Sequence, residues 1–248
     1  MTGLERYAKR YSAQYEAHSF ETVLVVIRRQ HVLGWLGHYG ARRVLEIGCG
    51  LEPLFAHYDG FTSWWIVEPI AEFARHAREL AAGDSRVQVF EGRVQDESAA
   101  LASGQFDFIV VSSLLHEVPD PKGLLDAVRS LCNNGTVVHF NVPNALSFHR
   151  LLAVEIGLID DVSEASEMDR AFGHHTRFER THFITFLERA GFRVTDSGTY
   201  FVKPFSNSQM DAILGTGAFP SSLIEGLDRM TRHMPELGCE LFANARKA

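Results

Sequence analysis

The chain has 248 residues, 46% of them hydrophobic and 22% charged, which is enough for one well-buried domain with additions and needs no second full domain. A formal charge of -7, a pI near 5.9 and the absence of any lysine or arginine run set an average field that repels polyanions, so nucleic acid is not expected as a partner. Cys49, Cys132 and Cys239 are too scattered for a disulfide framework, the N-terminus lacks a signal-peptide segment, and no stretch approaches the roughly 18 apolar residues of a membrane span. These features lead us to expect a cytoplasmic protein, monomer or homodimer, with no membrane partner.

In chain order, two helices are expected over about 4–17 and 20–37, the first carrying Tyr7, Tyr11 and Tyr15 on one face. The run Arg43-Val44-Leu45-Glu46-Ile47 then reads as a strand that opens into Gly48-Cys49-Gly50. Paired glycines let the backbone turn sharply and approach a ligand, and a following helix would offer free N–H groups. Trp64-Trp65-Ile66-Val67-Glu68 is a second apolar run, ending in a carboxylate 22 residues after Glu46, where an acid can accept both ribose hydroxyls. Ile70, Phe73, Ala77 and Leu80 recur at helical spacing after it.

Val87 to Glu91 and Phe106 to Val111 give a third and a fourth strand, the latter ending at Ser112-Ser113-Leu114-Leu115-His116-Glu117-Val118-Pro119. A helix around Leu124, Leu125, Val128 and Leu131 stops by Asn134-Gly135, and Thr136 to Val142 forms a fifth strand. Thr181 to Ala190 is helical, Phe192 to about Phe201 is a sixth strand, and Cys239 to Ala245 a short seventh. Strands alternating with helices imply an α/β fold with a mostly parallel sheet covered on both faces.

The ordered set Leu-Glu-Ile-Gly-Cys-Gly, Val-Glu-Pro, Phe-Asp-Phe-Ile-Val-Val-Ser-Ser and Leu-Leu-His-Glu-Val-Pro-Asp-Pro resembles class I S-adenosylmethionine-dependent methyltransferases, especially the ubiquinone-biosynthesis-type small-molecule branch, over roughly residues 40–203. The resemblance implies a Rossmann-like seven-stranded sheet with an antiparallel last strand in an edge hairpin, and a helical N-terminal lid. It implies S-adenosylmethionine as cofactor, with Gly48, Cys49 and Gly50 against its methionine part, Glu46 near its amino group, Glu68 and Pro69 at the ribose, and Val94 and Ser112 flanking the adenine. Tyr15 matches a lid tyrosine, although a tyrosine stripe packed on the core explains it as well.

Two positions depart from the family pattern. Leu51-Glu52-Pro53 replaces a further glycine, so the turn after the first strand must be built differently, with Pro53 suited to a first helical turn. Glu52 would also repel the pyrophosphate of a dinucleotide, which disfavours NAD. Arg93 stands where the family often has asparagine or aspartate, and Asp96 is the substitute expected at the adenine.

The expected organisation is a single domain: 1–40 as lid, 41–143 as cofactor-binding core, 144–180 as an insertion capping the substrate, and 181–248 completing the sheet around a helical insertion at 204–236. Because strand carboxyl ends carry the site in such sheets, the 144–180 insertion should roof the acceptor pocket. His116, at the fourth strand's end, is the first candidate for general base or acceptor-orienting group, with Glu117 beside it as the alternative contact. His149 is a second catalytic candidate, and Asn144 is placed at the pocket mouth to bind acceptor hydroxyls. Arg150, Arg177 and Lys203 are expected to hold a phosphate or carboxylate, with His174 and His175 alongside. Adjacent histidines on an extended segment point opposite ways and lack a third ligand, so no metal is expected.

The function these features imply is methyl transfer from S-adenosylmethionine to a small polar acceptor, at a hydroxyl of a sugar, a glycan end or a phosphorylated metabolite. An antibiotic-type secondary metabolite methylated at oxygen or nitrogen is the alternative, favoured if the pocket under the insertion is apolar. A non-catalytic scaffold of the same fold is a third reading, opposed by the intact Glu46, Gly48, Gly50 and Glu68.

Overall fold

The computed structural model describes residues 9, 12, 19–162, 164, 176–216 and 220–248. Helix α1 (Ser19–Tyr39) leads into β1 (Arg43–Ile47), followed by β2 (Ser63–Glu68), α2 (Ala71–Leu80), β3 (Val87–Glu91), α3 (Val94–Leu101) and β4 (Phe108–Ser112). The chain continues through α4 (Pro121–Leu131), β5 (Val137–Pro143), α5 (Phe148–Glu155), α6 (Arg180–Arg189), β6 (Phe192–Tyr200), α7 (Asn207–Gly215), α8 (Ser221–Arg229) and β7 (Glu240–Lys247).

The seven strands form one sheet in the order β3-β2-β1-β4-β5-β7-β6, parallel except for β7. The expected antiparallel edge hairpin is present, formed by β6 and β7. Strand β7 spans eight residues and is inserted between β5 and β6, antiparallel to both, which leaves β6 as the edge. That placement satisfies the backbone groups of β7 on both sides, and it brings Glu240, its first residue, opposite Pro143 at the carboxyl end of β5.

Alternation along the strands divides the core into two layers. Leu45, Ile47, Ile109, Val111, Val138 and Phe140 pack on one face beneath α4 and α6. Val44, Trp64, Ile66, Phe108 and Val110 pack on the other, against α1 and α2. Burying side chains of this size contributes about 1.5–3 kcal/mol each, so the central strands anchor the fold. Local signals set several helix ends. Asp120 accepts the Gly123 N–H at 2.9 Å with Pro121 in the first turn of α4, and Ser206 and Gln209 form a capping box on α7.

The expected helix after Gly50 is absent. Pro53 precedes only a single 3-10 turn, Leu54–His57, before the chain runs on to β2. The first N–H of this short turn is held by a side chain described below. Among the described residues, no helix is long and apolar enough to cross a membrane, and no group of three histidine, cysteine or acidic residues is placed to hold a metal ion.

Candidate active site

A single cavity of about 1140 Å³ runs along the carboxyl edge of the sheet. Because the strand order is β2-β1-β4-β5-β7, it meets in turn Glu68, Gly48, Ser112, Pro143 and Glu240. One wall is α1, which contributes Glu21, Leu24, Val25, Arg28, Arg29 and Val32, so the segment before the first strand does line the cavity. Another is α5 with the residues after it, Leu152, Ala153, Ile156, Leu158 and Ile159. These fall within 144–180, and they make that side of the cavity apolar.

At the β1–β2 end, Gly48 and Gly50 adopt φ values of +74° and +58°. A Cβ at Gly48 would stand 2.9 Å from Leu114 Cδ2, so both the turn and the close packing require glycine there. Glu68 is 3% exposed; its Oε2 accepts the Gly50 N–H at 3.2 Å and its Oε1 the Ile70 N–H at 2.9 Å. Burial pushes its pKa up, opposed by these bonds to the ionised form. The carboxylate borders the cavity, where a ligand hydroxyl can reach it.

This cradle fits a cofactor without phosphates. The Gly50 N–H that would cradle a phosphate already serves Glu68, the glycine loop leads into a 3-10 turn in place of a helix, and Glu52 and Glu68 border the space. A pyrophosphate would be repelled, whereas a cationic ligand would be attracted. Glu52 is ion-paired with Arg29 of α1, which ties the helix to the loop.

Glu46 differs from the expectation of a contact with the cofactor amino group. Both of its oxygens accept the Leu54 N–H, at 3.1 and 3.2 Å, and Oε2 also accepts from Trp64 Nε1 at 2.9 Å. The acid thus braces the 3-10 turn that replaces the helix. Burial raises its pKa to about 8, offset in part by these donors and reinforced by Glu68 nearby. Pro69, the buried Val94 and the half-buried Ser112 line the cavity, while Gln95, and not Asp96, borders it beside Arg93.

At the β4 end the turn is under tension. Ser113 holds φ of +54°, sparsely populated for a residue with a Cβ. Asn141 of β5 clasps it: Oδ1 accepts from Ser113 N at 3.0 Å and Nδ2 donates to Ser112 Oγ at 3.0 Å. Behind Asn141, His139 Nδ1 lies 2.8 Å from Asn244 Oδ1 of β7. Burial pushes the His139 pKa down to about 4, so the imidazole is neutral. His116 follows the clasped turn, 4% exposed and bordering the cavity, with Nε2 3.4 Å from Glu117 Oε1. Both candidates for the acceptor contact are therefore present, and they touch each other.

At the β5–β7 end the expected cluster is rearranged. Asn144 is spent on structure. Its Nδ2 donates to Glu236 O and Gly238 O, at 3.0 and 2.8 Å, and its Oδ1 accepts the Leu146 N–H, which locks the loop before β7. Arg150 borders the cavity, but its guanidinium donates to Val162 O and Glu164 O. Arg177 is not among the described lining residues, and Tyr15, His174 and His175 lie outside the described residues.

Lys203 is in place, 7% exposed, with Nζ 2.6 Å from Asn207 Oδ1. His149 also lines the cavity; burial, then Lys203 and Arg150, hold its pKa well below the ordinary value. Sequence reasoning missed Arg28 and Glu240, which form an ion pair at 2.8 Å on the cavity wall. They are 212 residues apart, and no local pattern marks either one.

A mixed sheet of this order, with a phosphate-excluding glycine cradle, defines the fold and cofactor end of an S-adenosylmethionine-dependent methyltransferase. A methyltransferase-domain family model matches residues 16–197, and the chain belongs to that family. Among curated proteins it is 27% identical over 187 residues to a ubiquinone biosynthesis O-methyltransferase of Xanthomonas axonopodis pv. citri, covering 73% of this chain and 74% of that protein. It is 28% identical over 130 residues to one of Erwinia tasmaniensis, a match that spans half the length of each. Similar solved structures include an S-adenosylmethionine-dependent methyltransferase of Mesorhizobium loti, with TM-score 0.54 and 19% identity over 84% of this chain and 91% of that one. The N-methyltransferase NodS of Bradyrhizobium japonicum, in complex with S-adenosyl-L-homocysteine, gives TM-score 0.53 and 14% identity over 88% and 86%.

Proposed function

We propose that this protein transfers the methyl group of S-adenosylmethionine to a hydroxyl of a small acceptor with an apolar body. The supporting observation is the two-ended cavity: a carboxylate-rich glycine cradle at β1 and β2, and an acceptor end walled by Leu152, Ala153, Ile156, Leu158 and Ile159. A sugar offers such a wall only the small apolar area of its C–H faces, so the apolar lining favours an aromatic or alkyl-bearing acceptor over a glycan end. The ubiquinone biosynthesis O-methyltransferases among the relatives fit the same reading.

Glu68 would hold the cofactor ribose, the Gly48–Gly50 turn its methionine part, and Val94 with Ser112 its adenine side. Bound there, the cofactor supplies an electrophilic methyl on a sulfonium sulfur. The chain's own work is then to aim the acceptor oxygen, exclude water and take a proton. Positioning alone can contribute roughly 7–11 kcal/mol. His116 accepts the acceptor's hydroxyl proton at Nδ1, while Glu117, 3.4 Å from Nε2, orients the ring. The low pKa of His149 makes it a weak base, so we assign it to hydrogen bonding at the acceptor end.

The test is turnover of a panel at equal concentration, with release of S-adenosylhomocysteine as the readout. Catechol bearing an alkyl chain should be methylated at least tenfold faster than any hexose or hexose phosphate. Faster turnover of the sugars would contradict the apolar-acceptor reading.

A further inference from the structure

Unpartnered buried polar atoms collect at one end of the cavity. Arg28 Nε, His149 Nδ1 and Glu240 Oε2 belong to residues that line it there, and Ser147 Oγ lies two positions before His149. Buried polar groups are normally satisfied, because each one left alone costs about 1–3 kcal/mol. A concentration of them in one place is what a polar ligand group would relieve.

The charges point to the sign of that group. Arg28, Arg150 and Lys203 face Glu21 and Glu240, and the low pKa of His149 leaves it neutral, so this end carries one cation in excess among the described residues. Arg28 is committed to Glu240 and Arg150 to backbone carbonyls. Lys203 has three ammonium protons and one side-chain acceptor, Asn207, yet it is buried. A buried ammonium with unused protons costs desolvation that an anion would offset.

We infer that the acceptor is an acid, and that its carboxylate is held by Lys203 in a pocket whose charge is set by the Arg28–Glu240 pair. This inference rests on the methyl-transfer reading for the word acceptor, but the anion pocket itself does not. The apolar wall of α5 takes the ring or chain of the molecule, and Glu240 acts by fixing Arg28 and by limiting the positive charge.

Calorimetric titration of the whole protein with 3,4-dihydroxybenzoate and with 3,4-dihydroxybenzamide tests it, since the two differ mainly in charge. The acid should bind at least tenfold more tightly than the amide. Lys203→Met should erase that difference, and Glu240→Gln, which removes a negative charge, should preserve or widen it. Equal binding of the pair by the native protein, a preference that survives Lys203→Met, or its collapse in both variants, as a merely structural cluster would give, overturns the assignment. S-adenosylhomocysteine titrated into the same samples separates the two claims. Its failure to bind, with the acid preference intact, sinks methyl transfer and leaves the anion pocket standing, while tight binding with no acid preference does the reverse.

Discussion

Two buried carboxylates, Glu46 and Glu68, sit at the ends of neighbouring strands and do different work because of what donates to them. Glu46 receives Leu54 N and Trp64 Nε1 and closes a turn, whereas Glu68 receives the Gly50 and Ile70 N–H groups and borders the cavity. Removing Glu68 leaves Gly50 and Ile70 N–H groups unmet as well as the ribose, so Glu68→Ala should weaken cofactor affinity at least tenfold. The same reasoning applied to His116 predicts a loss of catalysis alone. His116→Ala should lower turnover by about 10² to 10⁴-fold with unchanged S-adenosylhomocysteine affinity, measured by stopped assay and calorimetry. Full activity would move the proton acceptor to another group.

At the scale of elements, β5 and β7 carry a polar strip through an otherwise apolar sheet. His139 reaches Asn244 on one side and Asn141 on the other, and Asn141 holds the positive-φ turn at Ser113. The strip therefore couples the sheet interior to the loop bearing His116. Its pH dependence has a definite sign: the folded pKa of His139 is about 4 and the unfolded value about 6.5, so the unfolded chain binds the proton more readily. The stabilisation is complete above pH 6.5 and is lost as the pH falls toward 4, by about 3 kcal/mol in all. Urea denaturation at pH 7 and pH 5 should show the native protein losing more stability than His139→Gln over that interval. Equal losses would mean that His139 is not the titrating group.

The elements most legible in the sequence were those fixed by local pattern. Apolar runs and glycines marked β1 to β5 to within two residues, and Gly191, at φ +84°, stopped α6 through its own backbone chemistry. The meeting of Gly48, Gly50 and Glu68 at one end of the cavity was legible for the same reason, since two adjacent strands place them. The missing helix after Gly50 was not, although Pro53 and Glu52 hinted at a different turn. What decides it is Glu46 reaching forward eight residues to the Leu54 N–H. The acceptor end was least legible, because inserting β7 between β5 and β6 is what brings Glu240 to Pro143 and Arg28, and no local pattern foretells it.

For the molecule as a whole, strand order becomes the order of chemical tasks. Running from β2 to β7, the cavity passes Glu68, the Gly48–Gly50 turn, His116 and Lys203, to which the proposed function gives ribose binding, methionine binding, proton acceptance and acceptor binding, with α1 along one side and α5 along the other. Its central claim is that the β1–β2 end is built for a phosphate-free adenosyl cofactor. Calorimetric titration of S-adenosylhomocysteine into the native protein and Glu68→Ala tests that most directly. Micromolar binding by the native protein, weakened at least tenfold in the variant, is the predicted result. No binding by a folded native sample free of co-purified ligand, or equal affinity in both proteins, would contradict it.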